Sequence, residues 1–326
     1  MSRIVCFGEA LVDFLAQPGT APEAPRAFLQ YAGGAPANVA VAARRLGADC
    51  DFVGMLGADL FGDFLLHSLQ QAGVGTGFVQ RTGAARTALA FVALDAAGER
   101  SFSFYRPPAA DLLFTREHFH NDCFTGAGLL HLCSNSLTGD ALADATLHAA
   151  ALAHAAGAAV SVDLNLRPAL WPAGLDPQPR LWQLLQQADV VKLARNELDY
   201  LAAGLGSEAA VLERLWRGRL QWLIVTDGAA PLQWQTRQAS GSLAAFPVTA
   251  VDTTAAGDAF VGGLLAWLAG RGADAANLPA LLAERALVAN ALRQAAAAGA
   301  LAVTRHGAFA AMPSRAELDH FLQEQA

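Results

Sequence analysis

The chain has 326 residues, 54% apolar and 16% charged, which is enough apolar sequence for a packed core and too much for general disorder. Its formal charge of −7 comes without a basic run or basic and aromatic residues interleaved, which excludes a nucleic-acid partner. No stretch approaches the ~18 uncharged apolar residues of a membrane span, and Glu9 and Asp13 interrupt the apolar N-terminus before a signal-peptide core forms.

In chain order, β-branched runs predict strands at Arg3 to Glu9 and Cys50 to Met55, with helices at Ala37 to Leu46 and Phe61 to Ala72. The Pro-rich stretch Phe14 to Tyr31 is poorly helical. The glycines of Gly73 to Phe78 follow a helix and lack the spacing of a dinucleotide loop, so this segment reads as a turn. Thr87 to Arg106 reads as two strands around a turn at Asp95 to Glu99, hence an antiparallel hairpin.

Further strands are expected at Leu129 to Cys133, Ala159 to Asp163, Val190 to Leu193 and Leu220 to Thr226, and at the run PVTAV closed by Asp252. Helices are expected at Asp140 to Ala156, Glu197 to Ala203 and Ala255 to Leu268. This alternation is that of an α/β fold with a mostly parallel sheet. No linker composition or internal repeat divides the chain, so residues 1–326 read as one domain, with a small β lid from roughly 13–32 and 86–112. Cys6, Cys50, Cys123 and Cys133 lie far apart in apolar runs and read as reduced core residues of a cytoplasmic protein.

Ligands of open parallel sheets bind beyond the carboxyl ends of the strands. The expected strands run into Glu9 and Asp13, Ser134 and Asn135, then Asp163, Asn165 and Arg167. Lys192, the chain's only lysine, comes next, followed by Thr226, Asp227 and Gly228 and then Asp252, Thr253 and Thr254. Six such ends on one rim point to a shared site for a polyanion and a polyol. Lys192 suits a point charge reaching a phosphate, and a solvent-facing lysine is equally consistent.

Two small-residue segments bear the chemistry. In VDTTAAGDAFVGGLL, Ala255, Ala256 and Gly257 form a tight turn at a helix start, where free N–H groups and the helix dipole favour a phosphoryl group. Asp258 beside them is placed to take a hydroxyl proton, although an Asp there is also a favourable helix-start residue. In YAGGAPANVAVAARRLG, Gly33 and Gly34 allow close approach to the backbone, and Asn38 offers a donor and an acceptor to a polyol. A Walker A loop is excluded, because valine precedes the single lysine.

GGAPANVAVAARRLGADCDFVGMLGADLFGDFL and DTTAAGDAFVGGLL resemble the N- and C-terminal signatures of the ribokinase/PfkB carbohydrate kinases. GEALVDF, DLNLR, VVKLARNEL and TALAFVALDAAGERSFSFYRPPAADLLF resemble the fructokinases within that family. The resemblance implies a ribokinase-like three-layer αβα sandwich, a central sheet of about nine strands, and a β lid over the sugar. It implies Asp258 as catalytic base and the Ala255, Ala256 and Gly257 backbone as anion hole. Asp13, Gly33, Gly34, Asn38, Phe104, Arg106 and Asp252 would serve the sugar side. Asn165, Arg167, Lys192, Thr226 and Gly228 would face ATP, and Glu197 would help hold Mg²⁺ through water. A monovalent cation, K⁺, near the loop opened by Asp252 and a homodimer through the lid are further implications.

The implied reaction is ATP-dependent phosphorylation of fructose, with 2-keto-3-deoxygluconate or ribose as alternative acceptors and a weakly catalytic sugar or nucleotide sensor as an alternative role. The sequence departs from the family pattern at Ala255, Ala194 and Pro231, and in the alanine run Ala295 to Ala298 near the expected adenine. An alanine held at positive φ at position 255 is expected to weaken phosphate binding without abolishing it.

Overall fold

The computed structural model describes residues 1–17, 26–94 and 100–325. The chain begins with β1 (Arg3–Phe7), β2 (Leu11–Ala16), β3 (Phe28–Gly33), α1 (Ala35–Arg45), β4 (Cys50–Gly57), α2 (Leu60–Gln71), β5 (Gly75–Thr82), β6 (Leu89–Leu94) and β7 (Arg100–Tyr105). It continues through β8 (Ala127–Cys133), α3 (Asp140–Ala155), β9 (Ala159–Asp163), α4 (Gln178–Leu185), β10 (Val190–Ala194), α5 (Arg195–Leu205) and α6 (Glu208–Trp216). It ends with β11 (Trp222–Asp227), β12 (Ala230–Thr236), β13 (Ser240–Leu243), α7 (Ala256–Gly270), α8 (Leu278–Ala283), α9 (Arg285–Ala302) and α10 (Arg315–Glu324).

Nine strands form the main sheet in the order β13-β12-β11-β10-β9-β8-β1-β4-β5, and four form a small sheet in the order β3-β2-β6-β7. The main sheet is parallel except at β12 and β13. Chain order reverses around β1, which pairs with β4 on one side and β8 on the other, and this is where such sheets open a crevice.

Side chains alternate across a strand, so β1 feeds two cores. Ile4 and Cys6 join the cluster built with α1, α2, α7 and α9, while Val5 and Phe7 join the one built with α3, α4, α5 and α6. Helices therefore cover both faces, as a parallel sheet requires. Phe7 is fully buried and meets Phe114 edge to face at 5.0 Å, a pair worth about 1 kcal/mol beyond its buried area.

The predicted hairpin strands pair antiparallel as β6 and β7, and the expected turn at 95–99 lies outside the described residues. Two expectations are corrected. Gly73 to Phe78 is not simply a turn, because Gly75 to Phe78 already belongs to β5 beside β4. Asp252 closes no strand: the N–H groups of Val251 and Asp252 both bond the Val303 carbonyl just past α9, so PVTAV joins no ladder. Among the described residues no helix is long and apolar enough to cross a membrane.

Candidate active site

Asp258 lies in the first turn of α7 and is only 7% exposed. Its Oδ2 accepts a hydrogen bond from Asn38 Nδ2 at 2.7 Å, so α1 and α7 meet at the two residues singled out in the sequence. One turn further along each helix, Gly262 faces Ala42, and a Cβ on Gly262 would stand 2.4 Å from the Ala42 Cβ. The bare glycine lets the helices approach closely enough for the Asn38 contact. Burial pushes the Asp258 carboxyl up to about 7, helped by Asp163 and opposed by Asn38, Arg167 and Lys192. A carboxylate near neutrality is suited to accept a proton.

Ahead of α7, Ala255 adopts the left-handed conformation at φ 59° and ψ 12°. The Ala256 N–H reaches the Thr253 carbonyl at 3.4 Å, whereas no partner for the Gly257 and Asp258 N–H groups occurs among the described residues. These are the donors an anion would use. Lys192 lies beneath the turn, and a Cβ on Gly257 would come within 3.0 Å of Nζ. The lysine is not solvent-facing: it is 7% exposed, with Nζ 3.1 Å from both carboxylate oxygens of Asp163. Burial disfavours its charge, but Asp163 and Glu197 outweigh burial and raise its pKa.

The small sheet faces this turn through Asp13. Asp13, Ala90 and Phe104 are successive register partners on β2, β6 and β7, so they share one face of that sheet. Burial brings the Asp13 carboxyl up to about 7, with Asp258 and Asp252 adding repulsion. A Cβ on Gly33 would lie 2.2 Å from Asp13 Oδ2, so any larger residue there would displace the Asp13 carboxyl. Gly34 turns at φ 104° into α1. Arg106 takes a different position from a substrate-facing cation: it is 1% exposed, Nε donates to Asp111 Oδ2 at 2.8 Å, and Nη1 donates to Thr138 Oγ1 at 2.9 Å.

On the opposite side, Asn165 sits at φ 43° just past β9, a conformation asparagine tolerates, and Arg167 is exposed beside it. Glu197 accepts the N–H groups of Ala194 and Leu166, each at 2.7 Å, which ties the start of α5 to the loop after β9. Thr226 and Gly228 stand at the end of β11, with Gly228 at φ 54°. Pro231 belongs to β12, past this turn. The alanine run is explained by packing, because Ala295 and Ala298 sit against Gly263 of α7. Asp252 is held by the N–H groups of Thr254 at 2.8 Å and Gly307 at 3.1 Å.

The sequence placed Asp163 on the rim without giving it a task, and the structure makes it the partner of Lys192. Glu9 was likewise only a rim residue and proves to be fully enclosed. The separation of Glu9 from Arg106 in sequence leaves no local signal for their proximity.

A doubly covered parallel sheet, a helix start whose amide donors lack a partner among the described residues and a buried carboxylate beside them suit transfer of a phosphoryl group to a hydroxyl. Residues 1–315 match the pfkB family of carbohydrate kinases. The chain belongs to that family, and with it to the phosphotransferases acting on a sugar hydroxyl. Fructokinase-1 of Zea mays is 40% identical over 323 residues, covering 98% of each chain. A fructokinase from Xylella fastidiosa, solved with bound ATP, is 56% identical with a TM-score of 0.95, covering 99% of this chain and 98% of that one. A fructokinase from Vibrio cholerae O395, solved with fructose, ADP and calcium, is 32% identical with a TM-score of 0.85, covering 99% of both.

Proposed function

We propose that the chain transfers the γ-phosphoryl group of ATP to the 6-hydroxyl of D-fructose, with Asp258 as the base. The observation that carries this reading is the buried Asp258, bonded to Asn38 and standing beside the N–H groups of Gly257 and Asp258, which find no partner among the described residues. Fructose kinases among the relatives support the choice of sugar. In the reaction the sugar oxygen forms a bond to the γ-phosphorus, the bond to the bridging oxygen of ADP breaks, and Asp258 takes the hydroxyl proton. The amides of the α7 entrance stabilise charge on the transferring group. Asp13, Asn38, Gly33, Gly34 and Phe104 hold the sugar, while Asn165, Arg167, Thr226 and Gly228 line the nucleotide side above Lys192.

No group of three or more carboxylate, histidine or cysteine side chains among the described residues forms a metal cage. That fits Mg²⁺ carried by ATP phosphates and water, with Glu197 acting through water because both its oxygens already accept backbone amides. Held in this way through Glu197 and water, Mg²⁺ would supply positive charge to offset that of the phosphoryl groups. Each Asp252 oxygen likewise accepts a backbone amide, from Thr254 and Gly307, which anchors the loop near which a K⁺ ion would bind.

The pairing of Arg106 with Asp111 removes one of the two cations that could meet the carboxylate of 2-keto-3-deoxygluconate and leaves Arg167 as the other. We further propose a single domain whose small sheet acts as a lid and pairs with that of a second subunit. The four free, buried cysteines suit the reducing cytoplasm. Coupled ADP release across fructose, ribose and 2-keto-3-deoxygluconate tests the sugar, and Asp258→Asn tests the base. The variant should lose about 10² to 10⁴ in kcat with fructose binding retained. Undiminished turnover in it would remove Asp258 from the mechanism.

A further inference from the structure

Behind the Asn38 contact lies a buried polar network that none of the steps above uses. Glu9 follows β1 and is 1% exposed. Its Oε1 accepts the N–H of Ala35, the first residue of α1, at 3.3 Å and Asn135 Nδ2 at 3.0 Å. In the same helix turn the Asn38 N–H bonds the Gly34 carbonyl at 2.8 Å, and the Asn38 side chain bonds Asp258. Gly34 leaves no slack, because a Cβ there would stand 2.6 Å from the Glu9 carbonyl oxygen. Hydrogen bonds and adjoining backbone thus lead from Glu9 to the reactive carboxylate.

The same network reaches the small sheet. Arg106 immediately follows β7, and its Nη1 donates to Thr138 Oγ1, whose hydroxyl donates to the Asn135 carbonyl at 3.0 Å. Asp111 takes the other side of the guanidinium; burial raises the Glu9 carboxyl above its ordinary range, and the Arg106 charge opposes that rise. An enclosed cation thus contacts one enclosed carboxylate, Asp111, and acts electrostatically on a second buried carboxyl group, Glu9. In such surroundings loss of one charge leaves the others poorly matched and shifts the groups they hold.

We propose that Glu9 is a positioning residue for phosphoryl transfer, joining the base of the small sheet to the helix start that aims Asn38 at Asp258. The inference rests on the assignment of Asp258 as base. Glu9→Gln keeps the size and an acceptor for the Ala35 and Asn135 donors but removes the ionisable group on which Arg106 acts. Small displacements at a reacting centre are costly, so kcat should fall about 10-fold while KM for ATP stays within about twofold. The acid limb of kcat/KM against pH should move upward, because the Asn38 bond lowers the Asp258 pKa and would be loosened. Asp13, Asp163, Arg167 and Lys192, which also face Asp258, are unaltered in this variant.

The test is a cycle of Glu9→Gln, Asn38→Ala and the double variant, assayed for fructose-dependent ADP release from pH 5.5 to 9. A double variant no slower than Asn38→Ala alone supports the proposal. Wild-type kinetics in Glu9→Gln, or losses that multiply in the double variant, overturn it. Should Glu9→Gln fail to fold, the milder Thr138→Val probes the same network from its other end and must move the acid limb the same way; an unmoved limb overturns the proposal. Amide exchange over residues 33–42 needs no sugar. If wild-type protein fails to phosphorylate fructose, the functional reading falls, while faster exchange in both variants supports the coupling and unchanged exchange rejects it.

Discussion

Asp258 and Asp13 both carry carboxyls raised to about 7, and each is raised first by burial. Asp258 adds repulsion to Asp13, so ionising both at once is disfavoured near neutral pH. If both must be ionised, log kcat/KM for the sugar should fall below pH 7 with a slope steepening from one towards two. A pH profile with saturating ATP measures it, and a flat line down to pH 5.5 would contradict the paired assignment. The stability consequence has the opposite sign. A carboxyl raised in the folded state contributes stability fully below its unfolded value of about 3.9 and loses it as pH rises through about 7. The two groups should therefore favour a higher melting temperature at pH 6 than at pH 8 in protein free of ligand. Ala255 is a third residue with a measurable consequence. Its left-handed backbone costs an L residue roughly 1–2 kcal/mol, partly offset by the looser unfolded chain of a glycine variant. Ala255→Gly should leave the melting temperature nearly unchanged and lower KM for ATP by about two- to fivefold. Steady-state kinetics at saturating fructose check this.

Among the elements, the meeting of α1 with α7 decides whether the site assembles. Gly262→Ala would force a methyl to 2.4 Å from the Ala42 Cβ, and overpacking of this kind costs about 1–3 kcal/mol. Because the same two helices carry Asn38 and Asp258, kcat should fall together with the chemical-denaturation midpoint. A stable Gly262→Ala with full activity would show that the helices have slack. Most of these elements were legible from periodicity: the buried runs at β1, β8, β9 and β10 are short and apolar, and the helices between them are alanine- and leucine-rich. PVTAV misled because β-branched composition says nothing of which acceptor the backbone finds, and here the acceptor is the Val303 carbonyl. Asn38 and Asp258 were each legible as candidates, but their contact spans 220 residues and only the fold brings it about. Arg106 looked like a sugar ligand for the same reason: its burial depends on Asp111 and Thr138, and Thr138 comes 32 residues later.

At the scale of the molecule, the small sheet presents two unlike faces. Asp13 and Phe104 share the face towards the site, and Phe14 and Phe91 lie on the other, stacked at 5.1 Å. Phe28 and Tyr105 both meet Phe91 edge to face and extend this aromatic strip outward, at 38% and 66% exposure. Strand edges and aromatic surface of this kind are commonly covered by a second copy, and a twofold arrangement would let one strip pack on its equivalent. The proposed homodimer should then sediment at twice the chain mass of 33.9 kDa at micromolar concentration. Tyr105→Glu and Phe28→Glu place a charge on the outer edge of the strip, where the side chains are exposed and the cores are untouched. They should shift sedimentation towards a single chain without lowering the melting temperature of the monomer. A dimer that persists in both variants would place the subunit contact elsewhere on the surface, and a wild-type protein that sediments as one chain would remove it altogether.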